Sequence, residues 1–227
     1  FSFDQVYPTN GFHPAWQVMA ALLYRFLDWL QLETAPILLA YLAVSLLLIS
    51  GAICFFALSF RQSYSQIPAW FIFLPVGIYA LMMGPIFHRY GTLWSFTNAM
   101  ESPLLLFSFA LFMWVATKKE FYRSLPVTIL AGLALCLIFL ARLDHILVAP
   151  AFFAMVLLQA IVSKKTAAGL RSLVVMGLIV SVTIGAYLLV NRLTVGMWTP
   201  ISGSLKSTFP NPVAGRVKLD ELAGLLK

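Results

Sequence analysis

Ionisable side chains are scarce in this sequence and collect in a few short polar segments. His13 follows a turn-forming stretch, and Glu101 stands alone shortly before a proline. Arg142, Asp144 and His145 fill three of four consecutive positions in an otherwise apolar region. An arginine can grip a phosphate with its forked donors, and a carboxylate or imidazole can take up a proton. These residue types predict anion binding together with acid–base chemistry, provided that the fold brings them together.

Two further residues extend this candidate site. Asn10 precedes His13 in the turn-forming stretch, and Lys206 shares the loop 199–207 with several hydroxyl side chains. We predict that Asn10 and His13 contact a polar ligand, and that Lys206 adds a point charge to a phosphate contact. Fixed cations beside carboxylates are suited to stabilising charge on a phosphate leaving group.

Each segment also has a purely structural interpretation. An Asn-Gly turn at Asn10 could cap the next helix, and an acid at Glu101 favours a helix N-terminus through the helix dipole. Arg142 and Asp144 could form a pair that caps the helix after them, and Lys206 could belong to an ordinary solvated loop. The sequence leaves both interpretations open for every segment.

The amino-acid composition indicates in what kind of environment these residues lie. The chain is 61% hydrophobic, only 10% charged, and has a mean hydropathy of +0.92, which excludes a soluble globular domain. The net charge of +7 falls largely in short loops and does not indicate nucleic acid. Cys54 and Cys136 lie inside apolar runs, which favours buried apolar roles over a disulfide or a metal site.

The apolar runs predict an all-α, multi-spanning transmembrane protein, because backbone groups inside a bilayer must be satisfied internally. A span needs about 20 apolar residues. The third run is short and would have to borrow flanking residues or meet a thinned bilayer. The six predicted spans are 36–59, 67–87, 102–117, 125–141, 146–163 and 172–191.

The segment 14–31 has a different pattern and predicts one amphipathic helix before the six spans. Its polar residues recur every three or four positions, while Trp16 and Trp29 suit the headgroup level. An interfacial helix keeps both of its ends on one side of the membrane, whereas a spanning helix would move 1–13 to the other side. We favour the interfacial interpretation. The polar stripe contains Gln17, Ala21, Tyr24, Arg25 and Asp28.

The charges then separate by side. Seven of the eight acids fall on one face, with Glu120 as the exception, and the opposite loops are basic. The positive-inside rule makes the basic face cytoplasmic, so the candidate site is extracytoplasmic. The resulting organisation is an outer loop and interfacial helix over 1–35, a transmembrane domain over 36–191, and an outer loop over 192–227. The basic loops contain Arg61, Lys118, Lys119, Arg123, Lys164, Lys165 and Arg171.

Four short motifs carry a family resemblance: TNGFHPAW at 9–16, AMES at 99–102, LARLDH at 140–145 and TPISGSLKSTFP at 199–210. In this order they resemble elements of multi-span GT-C glycosyltransferases, in particular the bacterial branch that contains the cell-wall terminal arabinofuranosyltransferases. Ala99 stands where that family usually has glycine, and Ser102 where it has threonine.

The resemblance implies an enzyme of the bacterial inner (plasma) membrane. Such an enzyme transfers a sugar from a polyprenyl-phosphate donor to a glycan, lipid or protein acceptor on the extracytoplasmic side. The family's catalytic base is an Asp in the first outer loop. The chain begins at Phe1 without a methionine, so we expect an internal piece of a longer protein whose principal base lies upstream.

The same resemblance distributes roles among the candidate residues. Arg142 and Lys206 would contact phosphate, while Glu101 and Asp144 would position the acceptor or support the upstream base. Asn10, His13 and His145 would contact substrate. The carboxylates could also hold a divalent metal, although no spacing demands one.

Two other classes remain. A lipid or solute transporter, such as a flippase, should carry ionisable residues deep within its spans, whereas the charges here stop at the span ends. A structural membrane protein would give no reason for the Arg-Leu-Asp-His hairpin at 142–145.

Overall fold

A computed structural model describes residues 13–32, 34–64, 101–119, 121, 124–162, 166–196 and 198. Residues 13–181 belong to one compact unit, and the residues from 182 onward to another. The described part is all-α, as predicted. Its helices are α1 Pro14–Trp29, α2 Thr34–Ser63, α3 Ser102–Ala116, α4 Leu125–Ala141, the 3-10 helix Leu143–Leu147, α5 Val148–Val162 and α6 Thr166–Val195.

Three helices in the described ranges are long and apolar enough to cross a membrane: Pro36–Ser63, Leu143–Val162 and Ala167–Thr194. Only 11% of the most apolar window of the first is buried within the protein. In water such a helix would leave a large apolar surface exposed, so these helices indicate a membrane protein.

The prediction of six full spans is not met by the described residues. The segments predicted at 102–117 and 125–141 form helices, but these have 15 and 17 residues. At a rise of 1.5 Å per residue they extend about 22 and 26 Å, which is less than the hydrocarbon thickness of about 30 Å. The segment 67–87 lies outside the described residues.

α1 confirms the amphipathic helix and ends in a tight turn. Gln31 adopts a left-handed conformation with φ of 55°, and its N–H donates to Asp28 O at 2.8 Å. The N–H of Leu32 donates to Leu27 O at 3.3 Å, which completes a Schellman arrangement with glutamine in place of the usual glycine. The chain therefore turns at once into α2, and the two helices form a hairpin.

Contacts along this hairpin show that α1 runs antiparallel to the first half of α2. The Tyr41 hydroxyl of α2 donates to Ala20 O in the middle of α1 at 2.8 Å. Trp16, nearer the start of α1, packs in a cluster that includes Leu48. α1 has 16 residues, so it reaches about 24 Å along its neighbour and is too short to span.

α2 and α3 run parallel, because their contacts advance along both helices together. Gly51 faces the ring of Phe107, and Phe55 stacks with Trp114 at 5.1 Å between ring centroids. Ser59 Oγ lies 3.2 Å from Thr117 Oγ1 at the far end. α3 therefore begins about level with Leu48, well inside the length of α2.

The cysteines differ from each other in environment. Cys136 is buried, as expected of a small apolar side chain, and its Sγ lies 3.7 Å from Ile179 O. Cys54 is exposed on α2, contrary to the expectation of burial, because its side of that helix carries no described neighbour helix. Within the described residues, neither thiol is part of a disulfide.

Close packing of α5 against α6 provides a stability test at Gly169. A Cβ at this position would overlap the Cβ of Ala160. We expect Gly169→Ala to lower the free energy of unfolding by about 1–3 kcal/mol, since overpacking forces backbone shifts. The measurement is SDS-induced unfolding in mixed micelles.

Gly185, in the same helix, is the matched control. A Cβ there would meet no described atom within 4 Å. Gly185→Ala should be neutral or stabilising by about 0.5–1 kcal/mol, because alanine restricts the unfolded chain. Equal destabilisation by both substitutions would contradict the packing of Gly169 against Ala160.

Candidate functional site

Glu101 is a buried carboxylate at the start of α3. It lies just before Ser102, and its carbonyl accepts the N–H of Leu105 at 3.0 Å, the first bond of the helix. Pro103 and Leu104 are buried in the first turn and hold that end against the bundle. The Glu101 side chain is only 7% exposed. A charge at such a position requires partners.

Two cations or potential cations supply those partners. His13 Nε2 lies 3.2 Å from Glu101 Oε1, and Arg142 Nη1 lies 3.9 Å from the same oxygen. His13 stands immediately before α1, and Arg142 immediately after α4. The carboxylate thus joins the ends of three helices. Its side chain makes no cap hydrogen bond to α3, so it does not act as a hydrogen-bonding cap, although its charge still lies at the favourable end of the helix dipole.

Arg142 is held in the break between α4 and the 3-10 helix. Its backbone is extended, with φ of −158° and ψ of 111°, and its N–H still donates to Ile138 O at 3.1 Å. Its Nε donates to Asp144 Oδ1 at 3.1 Å and to Oδ2 at 3.2 Å. The guanidinium has five N–H donors, so its contacts with the described residues leave donors on Nη1 and Nη2 for another anion.

His145 forms the outer end of the arrangement. Its Nδ1 lies 3.1 Å from Asp144 Oδ1, and its ring packs edge-on against Phe109 with centroids 5.8 Å apart. Its backbone N–H donates to Arg142 O at 3.0 Å, which tightens the hairpin. The ring is therefore oriented both by a carboxylate and by an aromatic side chain of α3.

These contacts form one continuous chain of side chains, called here the ion-pair cluster. Exposure of its carboxylates rises from 7% at Glu101 to 55% at Asp144, so the cluster leads from the protein interior to its surface. With neutral histidines its formal charge is −1, and each protonated histidine adds one positive charge. The members, in order of contact, are His13, Glu101, Arg142, Asp144 and His145.

The structure thus brings together five of the seven residues selected from the sequence. They come from three separate segments of the chain. Asn10 and Lys206 lie outside the described residues. Among the described residues, no three of His, Cys, Asp and Glu are grouped as a metal site would require.

Sequence reasoning missed three supporting residues. Trp16 was expected at the headgroup level, but it is 9% exposed and packs with Leu104 and Ala141 beneath the cluster. Phe109 orients His145, and Tyr41 fixes α1 to α2. The one signal for Trp16 was its position one helical turn after His13, which places both on the side of α1 that meets the bundle.

The depth of the cluster also differs from the expectation of charges at the span ends. Trp16, Leu104 and Ala141 share a core with Leu48 of α2. Leu48 lies twelve residues after Pro36, where the apolar part of α2 begins. That separation is about 18 Å along a helix. The cluster is therefore at the ends of α3 and α4 but level with the middle of α2.

Comparisons with protein-family models, with curated proteins and with solved structures found no match to this chain.

Proposed function

We propose that this protein is a membrane glycosyltransferase. The enzyme would transfer a sugar from a polyprenyl-phosphate donor to a glycan, lipid or protein hydroxyl. The observation that carries the proposal is the ion-pair cluster, in which a buried carboxylate, an arginine and an Asp–His pair meet in a strongly apolar protein. The motif resemblance at 9–16, 99–102, 140–145 and 199–210 supports the same activity.

The reaction breaks the bond between the sugar C1 and the phosphate oxygen and forms a bond from C1 to the acceptor oxygen. The acceptor hydroxyl loses its proton to a base, and polyprenyl phosphate leaves with the bonding electrons. The remaining Arg142 donors and the Lys206 ammonium would stabilise the charge on that phosphate. Glu101 and Asp144 would position the acceptor and support the base that takes its proton.

The orientation is part of the proposal. Arg61 lies in the last turn of α2, and Lys118 and Lys119 follow α3. These cations therefore lie at the opposite end of α2 and α3 from the cluster. The positive-inside rule then makes the cluster extracytoplasmic, in a bacterial inner membrane with a multi-span topology.

Activity can be tested in membranes that contain the full-length protein. The probes are synthetic polyprenyl phosphates that carry radiolabelled arabinofuranose, mannose, glucose or galactose. We expect label from one donor to appear in a glycan, lipid or protein fraction, with release of polyprenyl phosphate. Absence of transfer from all four donors, in membranes where the protein is folded, would reject the proposal in this form.

A transporter is the second candidate, and one observation favours it. Ionisable residues level with the middle of a long apolar helix are typical of transport sites. A transporter would move the labelled lipid or solute across reconstituted vesicles without cleaving the phosphate–sugar bond. The donor assay therefore separates the two classes through its chemical product.

A further inference from the structure

α1 presents three distinct sides, because successive residues are about 100° apart around a helix. One side packs on the bundle through Trp16 and Leu27, which are buried. A second side is polar and exposed, and a third is apolar and exposed. The second side, called here the polar strip, consists of Gln17, Ala21, Tyr24, Arg25 and Asp28. The third side, the apolar strip, consists of Val18, Leu22, Phe26 and Trp29, which are 55–75% exposed.

The three sides require three different surroundings. Residues of the apolar strip would be unfavourable in water at such exposure, and charges of the polar strip would be unfavourable in hydrocarbon. α2, the hairpin partner of α1, exposes Leu38, Leu39, Leu46 and Leu47 over the same length. The apolar strip therefore continues a surface that already belongs to a membrane-spanning helix. Lipid acyl chains are therefore the favourable surroundings of the apolar strip, and water is the favourable surroundings of the polar strip.

α1 also extends along the direction of membrane depth. Its end lies beside the start of α2, and its beginning lies level with Leu48, where the ion-pair cluster is found. The apolar part of α2 has 28 residues and a length of about 42 Å. Centring a hydrocarbon layer of about 30 Å on it puts Leu48 about 12 Å inside the layer, and Glu101, about one helical turn before the Leu104 and Leu105 that pack with Leu48, about 7 Å inside.

We propose that the polar strip of α1 is one wall of a hydrated path from the outer surface to the ion-pair cluster. α1 would then descend into the outer half of the membrane instead of lying flat in the interface. Lipid would contact one flank of this helix, and water the other. A half-buried arginine, a buried carboxylate and an exposed one are compatible with that depth because water reaches them along the strip.

The path also determines what kind of molecule can reach the cluster along it. Tyrosine, glutamine, arginine and aspartate offer hydrogen-bond donors and acceptors along about three turns of helix, and such groups suit a hydroxyl-rich ligand. The polar strip therefore suits the hydrophilic acceptor, whereas the apolar strip contacts lipid. This assignment of the acceptor rests on the proposed function, whereas the hydrated path does not.

Cysteine labelling of the full-length protein tests the path. Cys54 and Cys136 are first replaced by alanine, and single cysteines are introduced as Gln17→Cys, Tyr24→Cys and Asp28→Cys on the polar strip. Val18→Cys and Phe26→Cys are the matched controls at similar depth on the apolar strip. A membrane-impermeant methanethiosulfonate reagent is applied separately to right-side-out and inside-out vesicles.

We expect all three polar-strip cysteines to react from the extracytoplasmic side. Val18→Cys should react at least about 100-fold more slowly than Gln17→Cys, because the reactive thiolate is disfavoured in apolar surroundings. Equal rates at these two neighbouring positions would overturn the path, as would reaction of Asp28→Cys alone. Labelling needs no turnover, so its outcome is independent of the donor assay. Reaction from the cytoplasmic side alone would overturn the proposed orientation while supporting a hydrated strip.

Discussion

Arg142→Ala is expected to reduce sugar transfer by at least about 100-fold, which is the usual effect of removing one donor that stabilises developing charge. The substitution removes the cation that links Glu101 to Asp144, and it removes the remaining N–H donors proposed to bind the leaving phosphate. Transfer is measured in membranes as release of polyprenyl phosphate from the labelled donor. Lys206→Ala should have an effect of the same kind.

Arg142→Lys distinguishes a specific role from the mere presence of charge. Lysine restores the positive charge but cannot form the forked contact, so transfer should stay well below the parent level. Arg61→Ala is the control, since Arg61 lies at the other end of α2 and should leave transfer unchanged. The unfolding midpoint of each variant shows whether the protein remains folded. Normal transfer by both Arg142→Ala and Lys206→Ala would exclude these residues as phosphate contacts.

Local patterns predicted the helices well because hydropathy is a property of contiguous residues. The apolar run predicted at 36–59 became a helix over Thr34–Ser63, and that predicted at 172–191 a helix over Thr166–Val195. The spacing of the stripe in 14–31 predicted α1 correctly, and all five residues of the predicted stripe, four polar residues and one alanine, are exposed. These features depend on the residues within each helix and need no knowledge of its neighbours.

The axial position of one helix against another could not be predicted in the same way. Hydropathy gives the length of an apolar run but not where its end lies along the adjacent helix. The parallel offset of α2 and α3 is fixed by side-chain fit, as where the Phe107 ring fills the space left by Gly51. That fit places Glu101 level with the middle of α2. A charge that was predicted at the end of one span therefore lies far from both ends of the neighbouring helix α2.

Most members of the ion-pair cluster could be predicted from the sequence, because short connections and adjacent positions fix which residues lie near each other. α3 and α4 are joined by a short connection, so the start of one must lie near the end of the other, and Glu101 near Arg142. Asp144 and His145 follow from their adjacency to Arg142. The contact from His13 depends on α1 folding back along α2, which the turn at Gln31 determines, and no periodicity in the sequence specifies that direction.

Glu101→Ala should give the largest loss of stability among the cluster variants, about 1–3 kcal/mol, because it empties a buried position and leaves His13 Nε2 without its 3.2 Å partner. Glu101→Gln keeps the shape and one acceptor oxygen, so the loss should be smaller, about 0.5–1.5 kcal/mol. Both are measured by SDS-induced unfolding of the full-length protein in mixed micelles. Asp28→Asn, on the exposed polar strip, is the control and should stay within about 0.5 kcal/mol of the parent.

A double-mutant cycle then isolates the contact that holds α1 to α3. His13 and Glu101 are replaced by glutamine separately and together, and the 3.2 Å contact between them predicts a coupling free energy of about 0.5–3 kcal/mol. The same cycle between His13 and Asp144 should give a smaller value, since Glu101 and Arg142 separate that pair. Additive effects of the His13 and Glu101 substitutions would show that the start of α1 is held by Trp16 and its apolar neighbours instead. The buried carboxylate would then serve Arg142 alone.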